Sequence, residues 1–153
     1  MVGDRGNSEM ARSEKVVVDA SVLVKWYNLE DDSEEALKLR HDYAIRRIEL
    51  TAPFIIAFEV ANALRYNPDF GADDVKSATK DLLDMQMNLQ LLDEGQSRKA
   101  VDLAFKYGIT VYDAAYLALT ENEDVAFYTA DVKLITKVSD RMVRHIRDYV
   151  TPT

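Results

Sequence analysis

With 153 residues, 48% of them apolar, the chain has the length and composition of one soluble domain around a single core. It has no cysteine, which excludes a disulfide framework and thiolate zinc sites and fits a reducing cytoplasm. A formal net charge of -8 argues against gripping nucleic acid through a general positive field, although basic residues can still act locally.

Residues 1–14, beginning MVGDRGNSEMAR, are polar, lack the apolar middle of a signal peptide, and read as a flexible leader to a single domain over 15–153. No apolar run approaches the roughly 20 residues of a bilayer span. Lys15 to Asp19, KVVVD, is a β-branched run ending at an acid, the form of a buried parallel strand. Ser33 is expected to cap a helix carrying Leu37, Tyr43, Ala44 and Ile48 at helical spacing. Leu50 to Ala52 predicts a brief strand, and Pro53 suits the first turn of a helix, FIIAFEVANALRY, that stops before Asn67-Pro68. A helix from about Asp73 to Met87 and a short strand near Leu89 follow. Gln96 to Tyr107 reads as helix with Gly108 as its stop, and Tyr112 to Glu121 as another. Val125 to Thr129 is a strand followed by Asp131, Lys133 to Val138 one or two helical turns, and Arg144 to Tyr149 a final short strand. This alternation predicts an α/β fold whose mostly parallel sheet is covered on both faces. Ligands of such folds bind outside the carboxyl ends of the strands, where Asp19 and Asp131 fall.

Four acids interrupt or end apolar segments. Glu59 sits inside FIIAFEVANAL, and an ionised carboxylate buried without a partner costs several kcal/mol or more, so it needs a cation, a metal or a proton. Arg65 lies six positions on and faces away, whereas Asn62 shares the face of Glu59 and can bond it or a neighbouring acid. Asp19 also fits a turn, and Asp113 and Asp131 also fit helix caps. Several carboxylates gathered together repel one another, and Mg2+ or Mn2+ removes that penalty and suits phosphoryl chemistry. Lys25, Arg65, Lys133, Lys137, Arg141 and Arg144 are candidates for a local basic rim, with Trp26 or Tyr27 for base stacking. For any single one of them, an ordinary solvated charge, or a core or dimer tryptophan, is the favoured explanation. His41 and His145 read as surface or structural residues, so a histidine-pair ribonuclease mechanism has little support.

The segments VVVDASVLVKW, APFIIAFEVANAL, ITVYDAAYLAL and FYTADVKLI resemble the four acidic motifs of PIN-domain proteins, in order and at fitting separations. The resemblance covers nearly the whole chain from Lys15 and points to the small VapC-type toxins. It implies a three-layer α/β/α sandwich with a five-stranded, mostly parallel sheet, and a Mg2+- or Mn2+-dependent endoribonuclease of the cytoplasm that hydrolyses RNA with a metal-activated water. By likeness Asp19, Glu59 and Asp113 are the principal catalytic and metal-site acids and Asp131 the fourth, with Ser21 and Thr129 as hydroxyls beside them. The resemblance also implies a homodimer and a cognate antitoxin. Two rival readings are a non-catalytic interaction module on this scaffold and an aspartyl phosphatase using Asp19. The haloacid-dehalogenase pattern needs a second acid two positions on, where Ser21 stands.

Overall fold

The computed structural model describes residues 13–123 and 125–153. In chain order its elements are β1 (Glu14–Val18), α1 (Ala20–Tyr27), α2 (Ser33–Ala44), β2 (Ile48–Pro53), α3 (Ile56–Arg65), α4 (Ala72–Asp84) and β3 (Asn88–Gln90). Then come α5 (Glu94–Tyr107), α6 (Val111–Glu123), β4 (Ala126–Thr129), α7 (Val132–Val138), β5 (Val143–His145) and a 3-10 turn, Ile146–Asp148. The five strands form one sheet in the order β3-β2-β1-β4-β5, and every neighbouring pair is parallel.

The sheet is central because its strands are buried on both sides. Val16, Val17 and Val18 are 0–3% exposed, which a β-branched run in a covered parallel strand produces. Helix α6 touches β1, β2 and β4, and every residue from Ala114 to Thr120 is buried. A helix apolar all round its circumference belongs in such a place. Its neighbour α5 is fixed at both ends, by a box between Asp93 and Gln96 and by Gly108 at φ 64°.

The polar leader expected over 1–14 lies outside the described residues as far as Arg12, while Glu14 already belongs to β1. Helix α1 is the element that sequence periodicity did not announce. Val22, Leu23 and Trp26 bury one face of it, but valine and tryptophan are weak helix formers and no side chain caps its start. Pro53 closes β2 instead of opening α3: it has no N–H for the ladder and stands at the strand's last position, paired with Gln90. Asp32, not Ser33, precedes α2, and Ser33 Oγ accepts from the Glu30 amide at 3.0 Å. The final expected strand divides into β5 and a 3-10 turn, where His145 Nδ1 accepts from the Arg147 amide at 3.1 Å. His145 is therefore structural, and His41 is exposed. Among the described residues no helix is long and apolar enough to cross a membrane.

Candidate metal centre

Beside β1 the chain winds outward in both directions, to β2 and β3 on one side and to β4 and β5 on the other. The carboxyl ends of β1 and β4 are therefore the sheet's switch point, the crevice where ligands of such folds bind. Asp19 follows β1 at that crevice and is 7% exposed. It stands before α1, yet its carboxylate caps nothing. Its Oδ2 instead accepts from Ser21 Oγ at 2.8 Å and Thr129 Oγ1 at 2.7 Å. The same hydroxyls tie down the loop after β4, Ser21 Oγ accepting from the Ala130 amide and Thr129 Oγ1 from the Asp131 amide. Ser21 and Thr129 thus both bond the Asp19 carboxylate.

Glu59 reaches the same region from the first turn of α3 and is half-buried. Its Oε1 accepts from Tyr116 Oη at 2.7 Å. Asn62 is exposed and donates to none of the acids, so the expected Asn62 bond is replaced by the tyrosine. Asp113 occupies the first turn of α6, but Thr110 Oγ1 takes the Asp113 amide at 3.0 Å and leaves its carboxylate out of the cap. Asp131 does cap a helix: its Oδ1 accepts from the Leu134 amide at 3.1 Å.

Electrostatics links the four acids. Burial pushes the Asp19 carboxyl up, the Thr129 and Ser21 hydroxyls oppose this, and the charge of Asp113 adds to it. Burial also raises Glu59, against the Tyr116 bond and with the charges of Asp19 and Asp113. Asp113 is raised by burial and by Asp131, with Thr110 and Lys137 acting the other way. Tyr116 is raised beyond the range of any ordinary tyrosine by burial and by Asp19 and Glu59, so it remains a donor at all working pH values. None of Asp19, Glu59, Asp113 and Asp131 forms an ion pair with a basic side chain among the described residues. Among the described residues no three His, Asp or Glu side chains stand close enough to cage a metal ion by themselves. The acids form a spaced array that repels itself, with hydroxyls holding Asp19 and Glu59 and an amide holding Asp131.

Asp113 and Asp131 line one cleft of about 290 Å³ with Thr110, Leu134, Lys133 and Lys137. A larger cavity of about 540 Å³ lies near Arg40, Arg46 and Ile48, where β2 begins, and touches none of the four acids. The candidate rim separates into unlike parts. Lys25 is buried, bonding Asp31 O at 2.6 Å and Glu30 Oε1 at 3.2 Å. Trp26 is buried with its Nε1 on Ala36 O at 2.7 Å, and Tyr27 Oη donates to Asp81. Trp26 and Tyr27 thus tie α1 to α2 and α4, and Lys25 ties it to the loop at Glu30 and Asp31. Arg65, Arg141 and Arg144 are exposed, Arg65 over the Tyr66 ring and Arg144 bonded to Arg141 O. Sequence reading assigned no role to Tyr116 or Thr110. Their signals are present: Tyr116 lies three positions after Asp113 on one helix face, and Thr110-x-x-Asp113 has the spacing of a cap.

The five parallel strands, this crevice and its acids define an α/β protein with an acidic site at the sheet's carboxyl edge. The chain belongs to the PIN-domain family, whose profile matches residues 16–139. Ribonuclease VapC3 of Pyrobaculum aerophilum is 34% identical over 128 residues, covering 80% of this chain and 94% of its own. Exonuclease VapC9 of the same organism is 26% identical over 121 residues, 79% of this chain and 84% of its own. The fold is shared with VapC20 of Mycobacterium tuberculosis, a sarcin–ricin loop cleaving toxin, at TM-score 0.63 and 13% identity over 79% of this chain and 93% of that one. A toxin–antitoxin complex from Klebsiella pneumoniae also matches, with TM-score 0.63 and 15% identity over 86% and 97%.

Proposed function

We propose that this chain is a Mg2+- or Mn2+-dependent endoribonuclease, the toxin of a toxin–antitoxin pair, acting as a cytoplasmic homodimer. What supports the reading is that Asp19, Glu59 and Asp113, from the end of β1, α3 and α6, are each raised, with mutual charge effects among them, and are unpaired with any basic group among the described residues. The name of Ribonuclease VapC3, 34% identical, supports the activity, and the likeness to a toxin–antitoxin complex supports the antitoxin.

The donor set fits a hard divalent cation. It consists of oxygens alone, with an excess of negative charge for a cation to offset. Mg2+ and Mn2+ keep several waters and are held by few carboxylates plus substrate phosphate. Asp19, Glu59 and Asp113 would hold the ion, with Asp131 as the fourth acid. When bound, the ion supplies Lewis-acid stabilisation of phosphate charge and a lowered pKa for water. The chain's part is to aim and ionise the acids. Ser21 and Thr129 fix Asp19, Tyr116 fixes Glu59, and Thr110 spares the Asp113 carboxylate from capping. No side chain is required as a covalent nucleophile.

Cleavage of a labelled single-stranded RNA is expected to need Mn2+ or Mg2+ and to fall at least about 10³-fold in Asp113→Asn, about 4 kcal/mol of barrier. A circular RNA that is opened identifies endonucleolytic cutting. Cleavage that survives in Asp113→Asn, or that proceeds with all metal chelated, contradicts the reading. Acylphosphate trapped on Asp19 favours the phosphatase instead.

A pH dependence follows with definite sign. The three folded-state carboxyls hold protons above their unfolded values, so protonation stabilises the metal-free fold at low pH. That contribution is fully present below the unfolded values and is lost as pH rises through the raised ones. A cation competes with those protons. The rise in melting temperature caused by Mn2+ is therefore expected to be small near pH 5 and several-fold larger near pH 8. A rise that is equal at both pH values contradicts binding through these acids.

A further inference from the structure

Two lysines in the acidic cleft have no role in holding the fold that accounts for both. Lys133 is the second residue of α7, where the positive end of the helix dipole disfavours a cation, so the helix does not explain it. It is exposed and, among the described residues, makes no hydrogen bond or ion pair. Lys137 lies one turn on, on the same face as Lys133, and both line the cleft with Asp113 and Asp131. Lys137 donates to Gly108 O at 3.2 Å but forms no ion pair with either acid, although its charge is felt by Asp113. The other candidate cations stand apart from this cleft, and Lys25 is consumed by Asp31 and Glu30. Two exposed ammonium groups at i and i+4 would repel, a small cost that a bound anion offsets. The cleft, at about 290 Å³, has room for a phosphate group between lysines and acids.

We propose that Lys133 and Lys137 form a two-point clamp for a backbone phosphate of the RNA, seating the strand beside Asp113 and Asp131. This rests on the ribonuclease reading above. An ammonium binds phosphate as a point charge and reads no base, so the clamp sets affinity and register rather than sequence preference. The lysines are binding residues. They take no part in the proton transfers and do not hold the cation.

The test is single-turnover cleavage of a labelled single-stranded RNA by the full chain with Mn2+, comparing wild type, Lys133→Gln, Lys137→Gln and the double variant. The double variant is expected to need roughly 10-fold more protein for half-maximal rate, with a maximal rate within about 2-fold of wild type. The slope of log affinity against log salt should fall by about 1.4, two single-strand phosphate contacts at about 0.7 each. Mn2+ binding measured by calorimetry should stay equal or tighten, since removing cations cannot weaken a carboxylate site. Because Lys137 also holds Gly108 O, Lys133→Gln alone decides the matter if the double variant does not fold; its expected slope change is about 0.7. An unchanged half-saturation and salt slope, with wild type active, overturns the clamp and leaves the ribonuclease reading standing. A variant that loses maximal rate or Mn2+ affinity instead also overturns it, because the lysines would then serve the acids. Wild type that neither binds nor cuts RNA overturns both.

Discussion

Replacing Asp19 by asparagine is expected to remove metal-dependent RNA cleavage, by about 10³-fold or more, while making the metal-free protein more stable. The two effects have one origin. Asp19 is buried, and its carboxyl is raised by that burial and by the charge of Asp113. At pH 7.5 an ionised Asp19 therefore costs the metal-free fold free energy that a neutral amide does not. The side chain has the same shape, and Oδ1 of asparagine can still accept from the Ser21 and Thr129 hydroxyls that Asp19 uses now. The metal-free variant is therefore expected to melt above wild type. The rise that Mn2+ produces in wild type should be absent from the variant. Scanning calorimetry with and without Mn2+ measures both quantities. A variant less stable than wild type without metal shows that Asp19 is a structural acid, its two hydroxyl bonds outweighing its burial.

Phe127→Ala is expected to be the most damaging single change outside the acids, costing about 3–5 kcal/mol of stability. Phe127 is 0% exposed in β4, flanked by β1 and β5. Its ring stacks on Tyr116 with centroids 5.6 Å apart and planes 4° from parallel. Truncation opens a cavity under the very tyrosine that holds Glu59, so Mn2+ affinity should fall along with stability. Urea unfolding supplies the first number and calorimetric titration the second. Phe105→Ala, at a ring 86% exposed, should stay within about 0.5 kcal/mol of wild type. Equal costs for the two phenylalanines would contradict the placement of Phe127 at the centre of the fold.

What was legible in the sequence follows what each signal physically encodes. The VVV run of β1, the Gly108 stop of α5 and the apolar α6 were readable because burial on both faces and left-handed caps leave few residue choices. Helix α1 was not, since its valines and tryptophan favour a strand locally and only packing against α2 and α3 makes it a helix. The acids divided in the same way. Glu59 was conspicuous in its apolar segment, yet its partner was misjudged: Asn62 is near in sequence, whereas Tyr116 is 57 positions away and arrives only through the fold. Asp113 and Asp131 looked alike as helix starts. Local capping separates them: Thr110 takes the Asp113 amide and leaves its carboxylate free, whereas the Asp131 carboxylate caps α7 itself. Trp26 follows its favoured reading as a core residue, its indole bonded to Ala36 of α2, while Lys25 is taken up by the loop at Glu30 and Asp31.

The central claim is that three acids from three elements make one divalent-cation site. Calorimetric titration of Mn2+ into the wild-type chain at pH 7.5, repeated with Asp19→Asn and Asp113→Asn, tests it most directly. The account predicts saturable binding by wild type that is lost or at least about 10-fold weaker in each variant. Wild type that takes up no Mn2+, or variants that bind it equally well, would contradict it.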